Sequence, residues 1–360
     1  MKNIIIVTGS LGAGGIEKVT SRIANYYIER GYNVTICCLL EGEEKVFVQL
    51  NDKIEILFFN KIKDNSKLKI LMTFKWIKYI RGIFKEKKPD CVLAMTLKIG
   101  ALCVLARKKM KIRVSFRETC DPKSNVRNVC LDRILCFICR KIDGIIFQTE
   151  WEKSCYPTFM QKKGKVIPNP VSVDVSWDNC PDNKVIVTMG RLENVQKRQD
   201  VLIEAFYLFV KNNPGYKLII YGDGPDRIKV ENYIKKYNLE SDVILVGAKK
   251  NVHELISKAS MFIMTSDFEG LSNALIEALL MGLPCISSNW PGCDEIITHN
   301  VNGFIYERQE VDELVAYMNE IAHNIEKRII FSNEAKKLKE HFDPSNIIRE
   351  YANIIEGIDT

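Results

Sequence analysis

The chain has 360 residues, more than one ordinary hydrophobic core accommodates, so two domains are expected. With 46% hydrophobic and 27% charged residues it is neither disordered nor an integral membrane protein, and no apolar run reaches the length of a membrane span. The net charge of +7 hides an asymmetry: residues 1–170 carry 32 Lys/Arg against 16 Asp/Glu (+16), and residues 171–360 carry 20 against 29 (−9). A basic half is expected to face something anionic, whereas an acidic half needs only local positive charge around its site.

The first element is a strand at Ile4–Thr8, too short for a signal-peptide core, which favours a cytoplasmic protein. It runs into the loop Gly9–Gly15, then a helix through Ile28 closing at Gly31, and a strand at Asn33–Leu39. A long helix spans Lys67–Lys88 and stops at Pro89. A strand at Cys91–Ala94, a helix at Gly100–Ala106, and strands at Ile112–Phe116 and Gly144–Gln148 follow. The twelve cysteines sit in hydrophobic stretches and are expected to be free thiols; Cys136 and Cys139 form a C-x-x-C inside an apolar helical pattern, so packing is favoured over zinc.

Ile167-Pro168-Asn169-Pro170 is rigid and turn-prone, which places the domain boundary there, with domains 1–168 and 169–341. The alternation then restarts with strands at Lys184–Met189, Lys217–Tyr221, Val243–Val246, Met261–Thr265 and Pro284–Ser287. Helices are expected at Val201–Val210, Asp226–Tyr237, Val252–Ala259 and Asn273–Met281. A final helix from Pro344 to about Ile355 is long enough for residues 342–360 to return to the first domain. The class is α/β, with two doubly wound parallel sheets.

Such sheets bind ligands at the carboxyl ends of their strands, so the strand-to-helix loops are the candidates. Gly9–Gly15 could let a backbone approach phosphate through Gly14 and Gly15, but it lacks both the full dinucleotide fingerprint and G-K-[ST], and a tight structural turn fits equally. Gly190-Arg191-Leu192 with Lys197 and Arg198 puts three cations in one loop of an acidic half. Arg191 can fork onto phosphate oxygens and Lys197 can add a point charge, while Arg198 reads better as solvated. Gly222-Asp-Gly224-Pro225 is a tight turn in which Gly222 could give a ligand room. Val246 through Asn251 could offer backbone groups to a base edge, or be an ordinary loop.

The run S-D-F-E-G-L-S-N-A-L-I-E from Ser266 to Glu277 is the most informative segment. Ser272 or Asn273 caps an apolar helix in which Glu277 is the sole charge within Ala274–Leu283, with Leu280 and Met281 three and four residues onward. A carboxylate one turn into a greasy helix, beside a loop carrying Glu269, is costly unless it meets something polar. Amides at the helix start would hold phosphate and Glu277 could accept from sugar hydroxyls; a buried glutamate satisfied by backbone groups is the plainer alternative.

Taken in order, these segments resemble the retaining family 4 glycosyltransferases of bacterial surface-polysaccharide type, which have the GT-B fold. Gly14-Gly15-Ile16-Glu17 matches the early Gly-Gly-x-Glu loop, Val166–Val171 the interdomain I-P-N-P-V, and Gly190-Arg191-Leu192 with Lys197 the G-R-L…K loop. Gly222–Pro225 matches G-x-G-P, and Glu269–Glu277 the E-x7-E motif, followed by Gly282-Leu283-Pro284 and Pro291-Gly292. The resemblance implies two Rossmann-like domains facing across a cleft, with a C-terminal helix crossing back. The first would be the acceptor side and the second would bind a nucleotide diphosphate sugar.

By the same resemblance, Arg191 and Lys197 neutralise the departing diphosphate in place of a metal, and the sequence contains no D-x-D. Glu277 holds the ribose hydroxyls, Glu269 sits by the donor sugar, and amides of Gly270, Leu271, Ser272, Asn273 and Ala274 bind sugar and phosphate oxygens. Many relatives have a first-domain His near the donor sugar, but all four His here lie in the second half. The matching stretch is Ser115-Phe-Arg117-Glu118, similar to the Ser-x-Arg form of bacterial polysaccharide transferases, with Arg117 or Glu118 in that role.

The expected activity is transfer of a hexose or N-acetylhexosamine, from UDP or else GDP, to a lipid-linked or growing glycan, with no metal and no other cofactor. The partners expected are the nucleotide sugar, that acceptor and an anionic membrane surface on the inner face of the cell membrane, but no nucleic acid. For the membrane, the basic and apolar residues interleaved in Lys67–Lys88, with Lys108, Lys109 and Lys111, are the candidates, a core helix with a solvated face being the alternative. Two other classes remain: a dinucleotide-dependent oxidoreductase using the first glycine loop, and a non-enzymatic basic module binding nucleic acid or membrane.

Overall fold

The computed structural model describes the chain except residues 13, 41–45, 47, 60–68, 120, 125–127, 178–182, 250 and 359–360. The chain divides into two units, one of Met1–Pro170 with Pro344–Thr360 and one of Val171–Asp343. The first carries β1 (Asn3–Thr8), β2 (Asn33–Cys38), β3 (Glu55–Phe58), β4 (Cys91–Ala94), β5 (Arg113–Arg117), β6 (Gly144–Phe147) and β7 (Gly164–Val166). They form one sheet in the order β3-β2-β1-β4-β5-β6-β7, with every pair parallel. β1 lies centrally with both neighbours hydrogen-bonded to it, which is why I-I-I-V reads as an unbroken apolar run: helices cover both faces.

The second unit carries β8 (Val185–Met189), β9 (Lys217–Tyr221), β10 (Val243–Gly247), β11 (Met261–Met264), β12 (Cys285–Ser288) and β13 (Phe304–Tyr306), also all parallel, in the order β10-β9-β8-β11-β12-β13. The short edge strands β3, β7 and β13 and the helices Val311–His323 and Ile325–Lys336 have no counterpart among the expected elements. In each sheet the chain winds outward in one direction, then restarts on the other side of its first strand. The switch points are β1/β4 and β8/β11.

Two local boundaries moved for identifiable reasons. The helix expected from Gly100 starts at Leu97 because Thr96 caps it, its hydroxyl accepting from Ile99 N at 3.2 Å. Gly100 is then where the helix touches the sheet, a Cβ there lying 2.9 Å from the Phe116 side chain. The long basic helix is described as Lys69–Lys87; Lys67 and Leu68 lie outside the described residues. Cys136 and Cys139 are both buried, and desolvation pushes the Cys139 thiol up to about 12, which suits packing.

The final helix, Pro344–Glu356, belongs to the first unit and buries Ile347, Ile348, Tyr351, Ala352 and Ile355. Polar ties fix its position. Glu356, with its side chain 3% exposed, accepts from Arg30 Nη1 at 2.9 Å and from the Tyr32 hydroxyl at 2.7 Å. Arg113 Nε donates to Ile354 O at 3.2 Å, and Arg117 Nε to the Tyr351 hydroxyl at 2.9 Å. Among the described residues no helix is long and apolar enough to cross a membrane.

The Tyr351 hydroxyl is the acceptor for a guanidinium that is itself buried, so Tyr351→Phe leaves that donor unpaired. The expected cost is about 1–3 kcal/mol, read from urea unfolding; a change inside the error of the fit would show the hydroxyl to be dispensable.

Candidate functional site

The second unit's candidates converge because β8 and β11, which flank its switch point, release their loops side by side. After β8 the chain runs through Gly190 into the short helix Asn194–Lys197; after β11 it enters Thr265–Ser272. Backbone and side-chain bonds tie the loops together. The Thr265 hydroxyl donates to Lys197 O at 2.8 Å, Asp267 N donates to Gln196 O at 2.8 Å, and Gln196 Nε2 donates to Phe268 O at 3.0 Å.

Glu269 lies at the centre of that junction, 7% exposed. It accepts from Lys197 Nζ at 2.5 Å, from the Ser266 hydroxyl at 2.6 Å and from Gln196 Nε2 at 3.2 Å. A carboxylate at this depth requires such partners, and the ion pair restrains both loops. The sequence singles out Lys197 and Glu269 separately; the structure makes them one unit.

Gly270 and Leu271 then turn the chain into the helix Asn273–Met281, where the Ser272 hydroxyl caps by accepting from Leu275 N at 3.4 Å and Gly282, at φ +84°, ends it. Asn273 and Ala274 form its first turn. Glu277, one turn in, is 3% exposed, and its Oε2 lies 3.1 Å from His253 Nε2. That partner comes from the helix Val252–Ile256 after β10 rather than from Glu277's own helix. Sequence reasoning missed His253, although a clue was present: it stands two residues beyond Asn251, where a loop already singled out ends.

The three cations of the Gly190 loop have separate fates. Arg191 projects with its side chain 68% exposed, its Nε 3.5 Å from Glu193 Oε2. Lys197 is held by Glu269. Arg198 corrects the expectation of a solvated residue: its Nε lies 3.0 Å from Asp200 Oδ1 and its Nη1 3.1 Å from Asp267 Oδ2. Those hydrogen bonds, that to Asp200 first, hold its guanidinium pKa above the ordinary value. Its backbone is left-handed (φ +47°) where one helix stops and the next begins, so the side chain braces a sharp turn.

Gly222 sits in the tight turn expected of it. At φ +130°, a Cβ there would overlap the carbonyl of Gly190, so the glycine makes room for a close passage of backbone. Gly190 N donates to Tyr221 O at 2.9 Å and Gly222 N to Gly247 O at 3.0 Å, which locks the ends of β8, β9 and β10. Val246 is half-buried in β10, and Asn251 is exposed at the start of its helix without a side-chain cap.

In the first unit, Gly14 is the N-cap of the helix Gly15–Glu29, and Glu17 turns back to accept from the Ser10 hydroxyl at 2.6 Å. Both Gly14 and Gly15 are exposed. Arg117, 1% exposed, is an interior hub that donates to Tyr351, to Gln148 Oε1 at 2.6 Å and to Asn169 Oδ1. Glu118, 2% exposed, accepts from the Tyr156 hydroxyl. Burial first, and the charge of Glu118 second, push the carboxyl of neighbouring Glu152 well above the ordinary range. These contacts give Arg117 and Glu118 a bracing part in the first unit.

The glycine pair yields a contrast. Gly222→Ala combines a forbidden φ with a backbone overlap and is expected to cost about 2 kcal/mol or more. A Cβ on Gly190 meets Lys197 Cε at 3.4 Å, an ordinary contact, so Gly190→Ala is expected to cost under about 1 kcal/mol. Thermal unfolding of both variants checks the order; equal losses would refute the backbone argument.

Comparison with known proteins agrees with this architecture. The family model for Glycosyltransferase Family 4 matches residues 13–175, and that for Glycosyl transferases group 1 matches residues 176–338. The chain is 26% identical to the amylovoran biosynthesis glycosyltransferase AmsD of Erwinia amylovora, over 98% of this chain and 99% of the relative. It is 25% identical, over 99% of each chain, to a Campylobacter jejuni alpha-1,4-N-acetyl-D-galactosaminyltransferase acting on a diNAcBac-PP-undecaprenol-linked glycan. The structure of Anabaena Alr3699/HepE in complex with UDP and glucose superposes with a TM-score of 0.81 at 18% identity, over 98% of this chain and 99% of that one. Two models that meet end to end along the two units show that the chain belongs to the family 4 glycosyltransferases, with the GT-B fold, and is a glycosyltransferase.

Proposed function

We propose that the chain is a retaining glycosyltransferase that moves a hexose or N-acetylhexosamine from a UDP-sugar to a lipid-linked or growing glycan during bacterial polysaccharide assembly. The observation that carries this is the junction at β8/β11, where two buried carboxylates, a restrained lysine and an exposed arginine belong to adjoining loops and the capped helix that follows them. The UDP and glucose named for the Anabaena structure favour the donor class. The polysaccharide and undecaprenol-linked glycans named for the Erwinia and Campylobacter relatives favour the acceptor class.

In this reading Glu277, beside His253, accepts from the ribose hydroxyls, and Glu269 contacts the donor sugar while holding Lys197. As the bond from the anomeric carbon to the diphosphate oxygen breaks, negative charge grows on the leaving group. The Arg191 guanidinium and the Lys197 ammonium, which has three N–H donors, stabilise it, a role that needs no metal. The acceptor oxygen attacks from the face the diphosphate vacates, and its proton passes to the leaving phosphate, so the anomeric configuration is kept. The basic first unit, with Lys75, Lys78 and Lys85 on the helix Lys69–Lys87 and Lys108, Lys109 and Lys111 beyond it, meets an anionic lipid surface.

Calorimetric titration with UDP, GDP and NAD, on wild type and Glu277→Ala, tests the donor site. UDP is expected to bind, and Glu277→Ala to weaken it roughly 10-fold or more, as loss of a charged hydrogen bond implies. Binding of NAD alone would instead support an oxidoreductase. Lys197→Met and Arg191→Ala are each expected to lower kcat about 10²–10³-fold with a smaller change in donor KM. Proton NMR of the product anomer and assay in EDTA address mechanism: inversion, or loss of activity in chelator, would sink the retaining metal-free reading.

A further inference from the structure

We propose that the helix Val129–Ile138 of the first unit is an apolar wedge that enters the headgroup region of an anionic lipid leaflet. The inference rests on the membrane reading above but assigns contact to a different element. Helices at a protein surface bury their apolar face; this one packs Leu135, Cys136 and Ile138 inward and leaves most of its apolar residues outward. Val129 is 64% exposed, Leu131 46%, Ile134 58% and Phe137 66%, and Cys130 is exposed beside them. Cys136 is the one residue of the helix that is buried. Four large apolar side chains on ten residues are a sustained cost in water unless something covers them.

The surrounding charge selects the cover. Arg133 is exposed within the same face, and Arg140 and Lys141 are exposed just past the helix end. The Arg140 guanidinium lies 5.2 Å from the Phe137 ring centroid and 5.4 Å from that of Phe159, bringing a cation against the apolar face. Asp132 is the lone acid of the helix. An apolar stripe with a cationic border fits the boundary between acyl chains and anionic headgroups, where arginines reach back to phosphate.

A second copy of the chain is a poorer occupant. It would bring a second basic unit against the first, and a helix about 15 Å long offers far less than the roughly 800 Å² per partner of a stable interface. The helix Lys69–Lys87 packs against the same neighbour, Leu97–Arg107, and also exposes Leu71 (48%) and Phe74 (65%), with Lys78 exposed one turn further on. Two helices flanking one middle helix therefore present the same apolar and basic mixture.

Cosedimentation of the full chain with phosphatidylcholine vesicles, with and without 30% phosphatidylglycerol, tests the wedge. Wild type is expected to bind the anionic vesicles, Ile134→Ser/Phe137→Ser to lower the partition coefficient about 30-fold or more, and Arg133→Gln/Arg140→Gln to lower it several-fold. Unchanged melting temperatures and UDP binding would show that the variants fold. Unchanged partition of the apolar double variant would overturn the proposal. So would a wild-type dimer, seen by light scattering, that this variant abolishes, because the face would then be a self-interface. Glu277→Ala keeps vesicle binding whether or not it loses UDP, so failure of the donor reading is separable from failure of the wedge.

Discussion

The contact between Lys197 and Glu269 organises the second unit's site. Each side chain belongs to a loop leaving a different strand, and at 7% exposure the Glu269 carboxylate depends on the cation and the hydroxyl donor beside it. The pair ties two polar loops into one surface at the topological switch point, where parallel sheets concentrate their binding chemistry. The Ser272 cap, the helix it starts and the placement of Glu277 all follow from the loop that Glu269 anchors.

Cations in this protein divide by whether their charge is consumed internally. Arg198 is held by two aspartates and braces a left-handed turn, and Arg117 ties the first unit's strands to its terminal helix through Tyr351. Arg191, by contrast, extends with only a weak contact to Glu193. A guanidinium whose donors are occupied contributes rigidity, whereas an exposed one keeps its capacity for an incoming anion. The same sorting applies to glycines: Gly222 serves a close passage of two backbones, while Gly14 opens a helix whose first turn carries Glu17.

Apolar side chains show a comparable division between the units' interiors and one face of the first. The sheets bury continuous runs such as Ile4–Val7 and Met261–Met264, which close packing between helical layers demands. Val129, Ile134 and Phe137 are excluded from that core although they are as hydrophobic as its members. Their helix packs inward through Leu135, Cys136 and Ile138 and carries a second apolar face outward.

The sequence alone determined what depends on local pattern. Apolar runs between glycine turns located most central strands to within a residue, the I-P-N-P turn located the break between units, and the ordered motifs located the loops at the strand ends. A cap at Ser272 or Asn273 and the stop at Gly282 were legible because capping acts over a few residues, and the structure selects Ser272. Edge strands such as Glu55–Phe58 and Phe304–Tyr306 escaped notice because three or four residues carry too little periodicity. Only the tertiary structure could decide which side chains meet across long sequence separations. Lys197 with Glu269, His253 with Glu277, and Arg198 with Asp267 are joined by strand order, and strand order sets which loops become neighbours. The reason is that a buried charge is satisfied by whatever folding brings beside it, and chain position does not encode that neighbour.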